Sequence, residues 1–212
     1  IQNLVPTSKY NIKCPYPMTP EFIVVHNTAN DASARNEVAY MIRNDNKVSF
    51  HYAVDDKEIV QGIPENRNAW HAGDGSNGPG NRKGLSIEIC YSKSGGQRFI
   101  EAEKLAAKFI AFKLKEKGWG IDRVKKHQDF SGKYCPHRTL DMGWQRFLDM
   151  VKSELDKLKG GTTVAEKNVP SSWAKEAWEW AKKEGLLDGA RPKDPLTREE
   201  FAVVLKRLAE KK

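Results

Sequence analysis

Two imidazoles, a thiol and two ammonium groups fall within the twelve residues Lys126-His127-Gln128-Asp129-Phe130-Ser131-Gly132-Lys133-Tyr134-Cys135-Pro136-His137. A further imidazole, His26, ends the apolar run Phe22-Ile23-Val24-Val25 about a hundred residues upstream. Two imidazoles and one thiolate suit zinc, with the fourth coordination position left to water. Structural zinc sites usually close all four positions with local C-x-x-C pairs, and none occurs here. The set His26, His127 and Cys135 therefore points to a catalytic zinc. Taken singly, each residue has a plainer reading. A strand-end histidine is more often a hydrogen-bonded, partly buried side chain, and a lone cysteine is more often a small buried hydrophobe. Cys135 departs from that pattern because Gly132, Lys133 and Pro136 make its surroundings a hydrophilic loop.

The elements that must position these groups follow from periodicity. Phe22 to Val25 has the continuous apolar character of a buried strand, which delivers His26 at its end. Asp31 to Arg43 has helical spacing, with Val38, Met41 and Ile42 apolar and Asp31 or Ser33 as the cap. Phe50, Tyr52 and Val54 alternate with polar or small neighbours as a second strand. It pairs with Ile59-Val60-Gln61-Gly62 across the turn Asp55-Asp56-Lys57-Glu58. Residues 62–84, rich in Gly, Asn and Pro, predict a long surface loop, and loops of that length in a compact domain are usually functional. Leu85 to Tyr91 reads as a third strand, with Leu85, Ile87, Ile89 and Tyr91 on one face and Ser86, Glu88 and Cys90 on the other. Phe99 to Lys117 is an amphipathic helix, with Leu105, Phe109, Phe112 and Leu114 apolar, closed by Gly118. Trp144 to Leu158 is another, with Phe147, Leu148, Val151 and Leu155 apolar. This order predicts an α/β domain, a mixed central sheet flanked by helices.

The 212 residues have room for one domain of about 150 residues and something smaller. Lys159-Gly160-Gly161-Thr162-Thr163 reads as a flexible linker. Beyond it, Ser172 to Glu184 and Thr197 to Ala209 predict two helices in a helix–turn–helix outline, Thr197 and Glu200 forming a capping box for the second. The expected division is 1–159, a linker over 160–167, and a small module over 168–212. A hydrophobic content of 39% with 30% charged residues describes a soluble globular chain, and no apolar run approaches the ~20 residues of a membrane span. Ile1-Gln2-Asn3-Leu4 has neither the basic nor the apolar region of a signal peptide, which predicts synthesis in the cytoplasm. Three cysteines make no disulfide framework; with Cys135 a ligand, Cys14 and Cys90 are expected as free thiols. The net charge is +8. It is scattered rather than blocked, so no nucleic-acid motif stands behind it. It suits either attraction to an anionic polymer or simple solubility.

The segments Phe22-Ile23-Val24-Val25-His26-Asn27-Thr28 and Ser131-Gly132-Lys133-Tyr134-Cys135-Pro136-His137 resemble the type 2 N-acetylmuramoyl-L-alanine amidases, zinc enzymes of phage endolysins and bacterial autolysins distantly related to peptidoglycan recognition proteins. Val48-Ser49-Phe50-His51-Tyr52-Ala53-Val54-Asp55-Asp56, Asn68-Ala69-Trp70-His71-Ala72-Gly73-Asp74-Gly75 and Leu85-Ser86-Ile87-Glu88-Ile89-Cys90-Tyr91 fit between them, so the resemblance runs from about Tyr10 to Met150. It implies hydrolysis of the amide between N-acetylmuramic acid and L-alanine by zinc-activated water, with the bacterial wall as the place of action. Together with the missing leader, that is the profile of a phage endolysin. His26, His127 and Cys135 would be the ligands. Glu88 would be the general base; a carboxylate inside an apolar strand is costly unless it faces a cleft or pairs with a cation. Lys133 would reach the substrate oxyanion if its loop turns it inward, or else remain a solvated lysine. Where other members carry a tyrosine near the second strand, Phe50 stands here. His51 reads as a packing residue beside the site, His71 as a substrate contact, and His137 as a support of its loop. Trp70 either stacks on substrate or packs. A non-catalytic peptidoglycan-binding module and a zinc peptidase acting on another stem-peptide bond are the rival readings.

In the tail, Trp173-Ala174, Ala177, Trp180-Ala181, Gly185-Leu186-Leu187-Asp188-Gly189, Arg191-Pro192 and Leu196-Thr197-Arg198-Glu199-Glu200 resemble one surface-layer homology motif over 168–209. That implies attachment to wall polysaccharide. A single copy would bind weakly, and self-association of the tail would restore strength. Trp173 and Trp180 share a helical face and are expected to pack, leaving Trp178 as the exposed tryptophan.

Overall fold

The computed structural model describes residues 1–159, 170, 174–190 and 198–210, and the chain divides into two units, Ile1–Leu158 and Lys159–Lys212. In the first unit, strands β1 (Phe22–Asn27), β2 (Tyr52–Val54), β3 (Ile59–Gln61), β4 (Gly84–Ile89) and β5 (Val124–Lys126) form one sheet in the order β3-β2-β4-β1-β5. β1 runs parallel to both β4 and β5, β2 parallel to β4, and β3 antiparallel to β2. The sheet is thus mixed, as the α/β reading requires. Ile23, Val24 and Val25 are fully buried in β1, so both faces of this central strand are covered, which is why its sequence is continuously apolar rather than alternating.

Helices surround the sheet: α1 (Tyr10–Lys13), α2 (Ala34–Arg43), α3 (Pro79–Lys83), α4 (Gly96–Glu116), α5 (Gln128–Ser131), α6 (His137–Asp141) and α7 (Trp144–Leu158). Ser33 caps α2 by accepting from the Asn36 amide at 3.4 Å. α2 packs on β2 and β3, while α4 packs on β2, β4 and α7. The buried stripe of α4 is built from Phe99, Ala102, Ala106, Ala107, Ile110, Ala111 and Leu114. Small alanines let its backbone approach the sheet closely, and Phe112, expected among the apolar positions, is left 51% exposed. Gly118, with φ 67°, ends α4 in a Schellman arrangement: Trp119 N–H donates to the Leu114 carbonyl and Gly118 N–H to that of Lys115.

The segment 62–84 departs from the expected surface loop. Ile63, Asn68, Ala69, Ala72 and Asn81 are buried, and α3 occupies its end. Side-chain amides make this possible by satisfying loop backbone internally. Asn68 Oδ1 accepts from the Tyr16 amide at 2.8 Å, and Asn81 Oδ1 accepts from the amides of His71 and Ala72, each at 2.8 Å.

The second unit holds α8 (Lys175–Lys183) and α9 (Arg198–Ala209). Gly185, with φ 66°, closes α8 as Gly118 closes α4: Leu186 N–H donates to the Ala181 carbonyl and Gly185 N–H to that of Lys182. Arg207 donates to the Leu186 carbonyl at 3.1 Å. Trp180 is 53% exposed and Trp178 half-buried, the reverse of the expectation from helical phase. The phase argument paired Trp180 with Trp173, which lies outside the described residues, as do the linker at 160–167, Arg191-Pro192, Leu196 and the capping Thr197. Among the described residues no helix is long and apolar enough to cross a membrane.

Candidate metal centre

Side chains at the carboxyl ends of parallel strands converge because neighbouring strands stop at the same edge, and open α/β sheets place ligands there. β1, β4 and β5 are such a trio. His26 is in register with Glu88 across β1 and β4, and Val25 with Lys126 across β1 and β5. One residue beyond β5, the His127 amide donates to the Val25 carbonyl at 3.3 Å, which brings His127 beside His26. Cys135 arrives by the return of the chain. α5 ends at Gly132, whose φ of 75° turns the backbone in a conformation that favours glycine. The Gln128 amide then donates to the Cys135 carbonyl at 3.0 Å. Asn27 fastens the arrangement. Its Oδ1 accepts from the amides of Arg138 and Thr139, and its Nδ2 donates to the His26 carbonyl.

The result is a buried group, His26, His127 and Cys135, whose ligand atoms all lie within 4.8 Å of one another. His26 Nδ1 and His127 Nδ1 face each other at 3.0 Å, and Cys135 Sγ is 3.9 Å from His26 Nδ1. Tetrahedral zinc with ordinary bond lengths would hold two nitrogens about 3.3 Å apart, and a nitrogen and a sulfur about 3.6 Å apart. The nitrogen pair is slightly closer than that and the nitrogen–sulfur pair slightly farther apart, differences that small side-chain movements close, so the donor set fits.

Protonation favours ligation at the imidazoles. Burial above all, then the neighbouring His71, His127 and Lys133, holds His26 well below its ordinary pKa. Burial and Lys133 lower His127 as well. Both rings are therefore neutral near pH 7. Burial pushes the Cys135 thiol up to about 11, with Glu88 adding to the rise, while amide groups of Asn27 and His137 and the Lys133 ammonium favour the thiolate. A divalent cation would complete that stabilisation. Glu88 is pushed up to about 8 by burial and by repulsion from Glu37, with Lys133 opposing. Its Oε2 is buried without a hydrogen-bond partner, and no ion pair to it occurs among the described residues.

These groups open into a cleft of about 800 Å³. His26, Glu88, His127, Lys133 and Cys135 line one part of it, and Tyr16, Val48 and Trp70 another. Lys133 is exposed at the cleft, whereas Phe50 is buried. Trp70 donates through Nε1 to the Ile12 carbonyl at 2.9 Å and meets Tyr16 edge-on, so it packs on one side and fronts the cleft on another. His51 is buried, with its ring nitrogens near Ser86 Oγ and the Arg67 carbonyl. His137 Nε2 lies 3.3 Å from the Ser92 carbonyl and so braces its loop. His71 lines the cleft yet is buried, its Nδ1 turned towards His26 Nε2 at 3.0 Å. Cys14 and Cys90 are free, buried thiols. Sequence reasoning overlooked Asn27 and Asn81. Each is a polar residue that an apolar neighbourhood or a turn-rich loop made unremarkable, though Asn27 directly follows a candidate ligand.

A family model described as N-acetylmuramoyl-L-alanine amidase matches residues 16–138, more than half of the chain, and takes in His26, Glu88, His127, Lys133 and Cys135. The chain belongs to the type 2 N-acetylmuramoyl-L-alanine amidase family. Among curated relatives, the amidase CwlA of Bacillus subtilis is 61% identical over 80% of this chain and 62% of its own length. The amidase XlyB of the same organism is 59% identical over 82% of this chain and 54% of its own. The chain thus spans little more than half the length of these amidases. Among solved structures, the PlyG catalytic domain is 54% identical, with a TM-score of 0.69, over 73% of this chain and 93% of that one.

Proposed function

We propose that this chain is a peptidoglycan hydrolase that cuts the amide between N-acetylmuramic acid and L-alanine, a wall-lytic enzyme of the endolysin and autolysin kind. One observation carries the reading: in a chain of the amidase family, two neutral imidazoles, a thiol and an unpaired carboxyl meet in one cleft. His26, His127 and Cys135 would hold zinc. Bound there, zinc supplies a water acidified towards neutrality and polarises the scissile carbonyl. Glu88 would take the proton from the attacking water and pass it to the departing L-alanine nitrogen; the Lys133 ammonium and a bound cation would favour the carboxylate that accepts, and burial the acid that then donates. The Lys133 ammonium would face the oxygen on which negative charge develops. With zinc bound, two neutral imidazoles and one thiolate would leave the site a net charge of about +1, which favours an anionic transition state. A binding module without catalysis would not need a half-buried carboxyl with an unpartnered, buried Oε2 beside the candidate trio, because that group is costly to keep.

Residues 1–159 would be the catalytic domain. Residues 168–212 would be a wall-attachment module resembling one surface-layer homology motif, joined to it through 160–167. Wall polysaccharide would be the tail's partner, with self-association adding avidity. Digestion of purified walls followed by mass analysis tests the reaction directly. New L-alanine amino termini with intact, peptide-free N-acetylmuramic acid are expected. Cleavage within the stem peptide would instead establish the zinc peptidase, and no product would establish a binding module. His26→Ala, His127→Ala and Cys135→Ala should each lose zinc and lysis, and a fully lytic Cys135→Ala chain would sink the ligand assignment.

A further inference from the structure

His71 stands outside the ligand trio, yet its ring makes a buried contact with one member of it. His26 Nδ1 faces His127 and Cys135, while His26 Nε2 lies 3.0 Å from His71 Nδ1. A neutral imidazole has one ring proton. If His26 is to offer a lone pair at Nδ1, its proton must sit on Nε2 and be donated to His71 Nδ1. His71 must then carry its own proton on Nε2. That atom is buried without a hydrogen bond of standard geometry, although the Gly80 and Gly84 carbonyls interact with the ring. The opposite tautomer pair would place a proton on His26 Nδ1, the atom that faces the other two ligands.

The backbone under His71 is fixed independently of that contact. Asn81 Oδ1 accepts from the His71 and Ala72 amides, and Asn81 Nδ2 donates to the Gly75 carbonyl at 3.0 Å. The Asp74 carboxylate accepts from the amides of Gly80 and Asn81. The segment from His71 to Asn81 is therefore closed on itself and holds the ring at one place.

We propose that His71 is a positioning residue of the metal centre: it accepts the His26 Nε2 proton and locks the tautomer in which Nδ1 is free to bind zinc. This rests on the reading of His26, His127 and Cys135 as zinc ligands. Partners of this kind orient the ring and raise ligand basicity, and their loss commonly costs 10–100-fold in metal affinity.

The test uses the full chain with two substitutions at this residue. His71→Leu removes the acceptor at similar bulk, and His71→Asn keeps an acceptor close to the position of Nδ1. Zinc dissociation constants come from chelator competition, and the zinc-free proteins are unfolded thermally in parallel. His71→Leu should weaken zinc by about 10–100-fold, and His71→Asn by no more than about threefold. A packing role alone would lower the unfolding temperature of the zinc-free protein and leave zinc affinity in place; that result overturns the proposal. Equal losses in both variants overturn it too. If His71→Leu does not fold, ring nitrogen-15 spectra of the unsubstituted zinc-loaded chain decide. Protons on Nε2 of both His26 and His71 support the proposal, and a His71 proton on Nδ1 defeats it. An unsubstituted chain that takes up no zinc ends the metal reading and this inference together. Loss of zinc in His26→Ala with full retention in His71→Leu ends only the inference.

Discussion

At Glu88 two physical effects oppose each other. Burial raises its pKa to about 8, so the structure bears the cost of a carboxyl that it neither hydrogen-bonds at Oε2 nor pairs with a cation among the described residues. A residue kept on such terms is expected to act rather than to brace. Glu88→Gln removes the proton acceptor while preserving shape. Because it also relieves the cost of a buried ionisable group, the variant should be at least as stable as the parent and retain zinc, yet lose about a hundredfold or more in turnover. Turnover on wall fragments, bound zinc and the thermal midpoint measure the three quantities. Near-normal turnover with a lowered midpoint would assign Glu88 to scaffold instead. Lys133 calls for a different signature, because it is exposed and its ammonium can leave the cleft without disturbing the core. Lys133→Ala should stay folded and zinc-loaded but slow, chiefly in kcat rather than KM, since its partner is the charge that appears only in the transition state.

The elements were legible where a pattern had one physical cause. β1 was visible because burial on both faces makes an unbroken apolar run, and α7 because Phe147, Val151 and Leu155 repeat at helical spacing. Residue type and loop context were enough to name His26, His127 and Cys135 as candidates, and the fold brings the three together. The geometry around them was not legible, because His71 reaches His26 through a fold-dependent approach that leaves no local spacing. The segment 62–84 was misread for a related reason: Gly, Asn and Pro signal turns, but an asparagine that satisfies buried backbone looks the same in sequence as one that faces water. Glu65 shows how that segment is tied to the helical layer. Its carboxylate receives Lys113 at 2.7 Å, Lys117 at 2.8 Å and the Tyr52 hydroxyl at 2.6 Å. Burial alone would raise its pKa, but these three donors bring it down to about 2. A carboxyl depressed in the folded state stabilises above its unfolded pKa of about 4.3, and the contribution fades as pH falls towards the folded value. Glu65→Gln should therefore destabilise the chain by ~2–3 kcal/mol at pH 7 and progressively less between about pH 4 and pH 2. Denaturant unfolding of both proteins across that range checks it; a difference that does not shrink on acidification would remove the ion cluster as the cause.

For the molecule as a whole, the division at Leu158 sets the last expectation. The sheet, all three candidate ligands, Glu88, Lys133 and the cleft lie in Ile1–Leu158, and α7 completes that unit by packing on α4. The hydrogen bond from Lys115 Nζ to the Leu158 carbonyl fastens its last residue at 2.6 Å. Residues 1–159 should consequently fold, bind zinc and cut soluble wall fragments with nearly the rate of the full chain. The second unit is built differently. Trp180, Phe201, Val203, Leu205 and Leu208 expose apolar surface on two short helices, a composition that suits contact with another surface more than an independent core. If that surface serves attachment, its removal should leave soluble turnover intact and lower the amount of protein retained on intact cells. The loss should grow steeper with dilution if several weakly binding copies cooperate. Cell-sedimentation binding and turnover on soluble fragments, measured for both lengths across a concentration series, separate these outcomes. Equal retention of the two forms would show that the tail is no anchor, and a parallel fall in soluble turnover would show instead that the second unit supports the catalytic one.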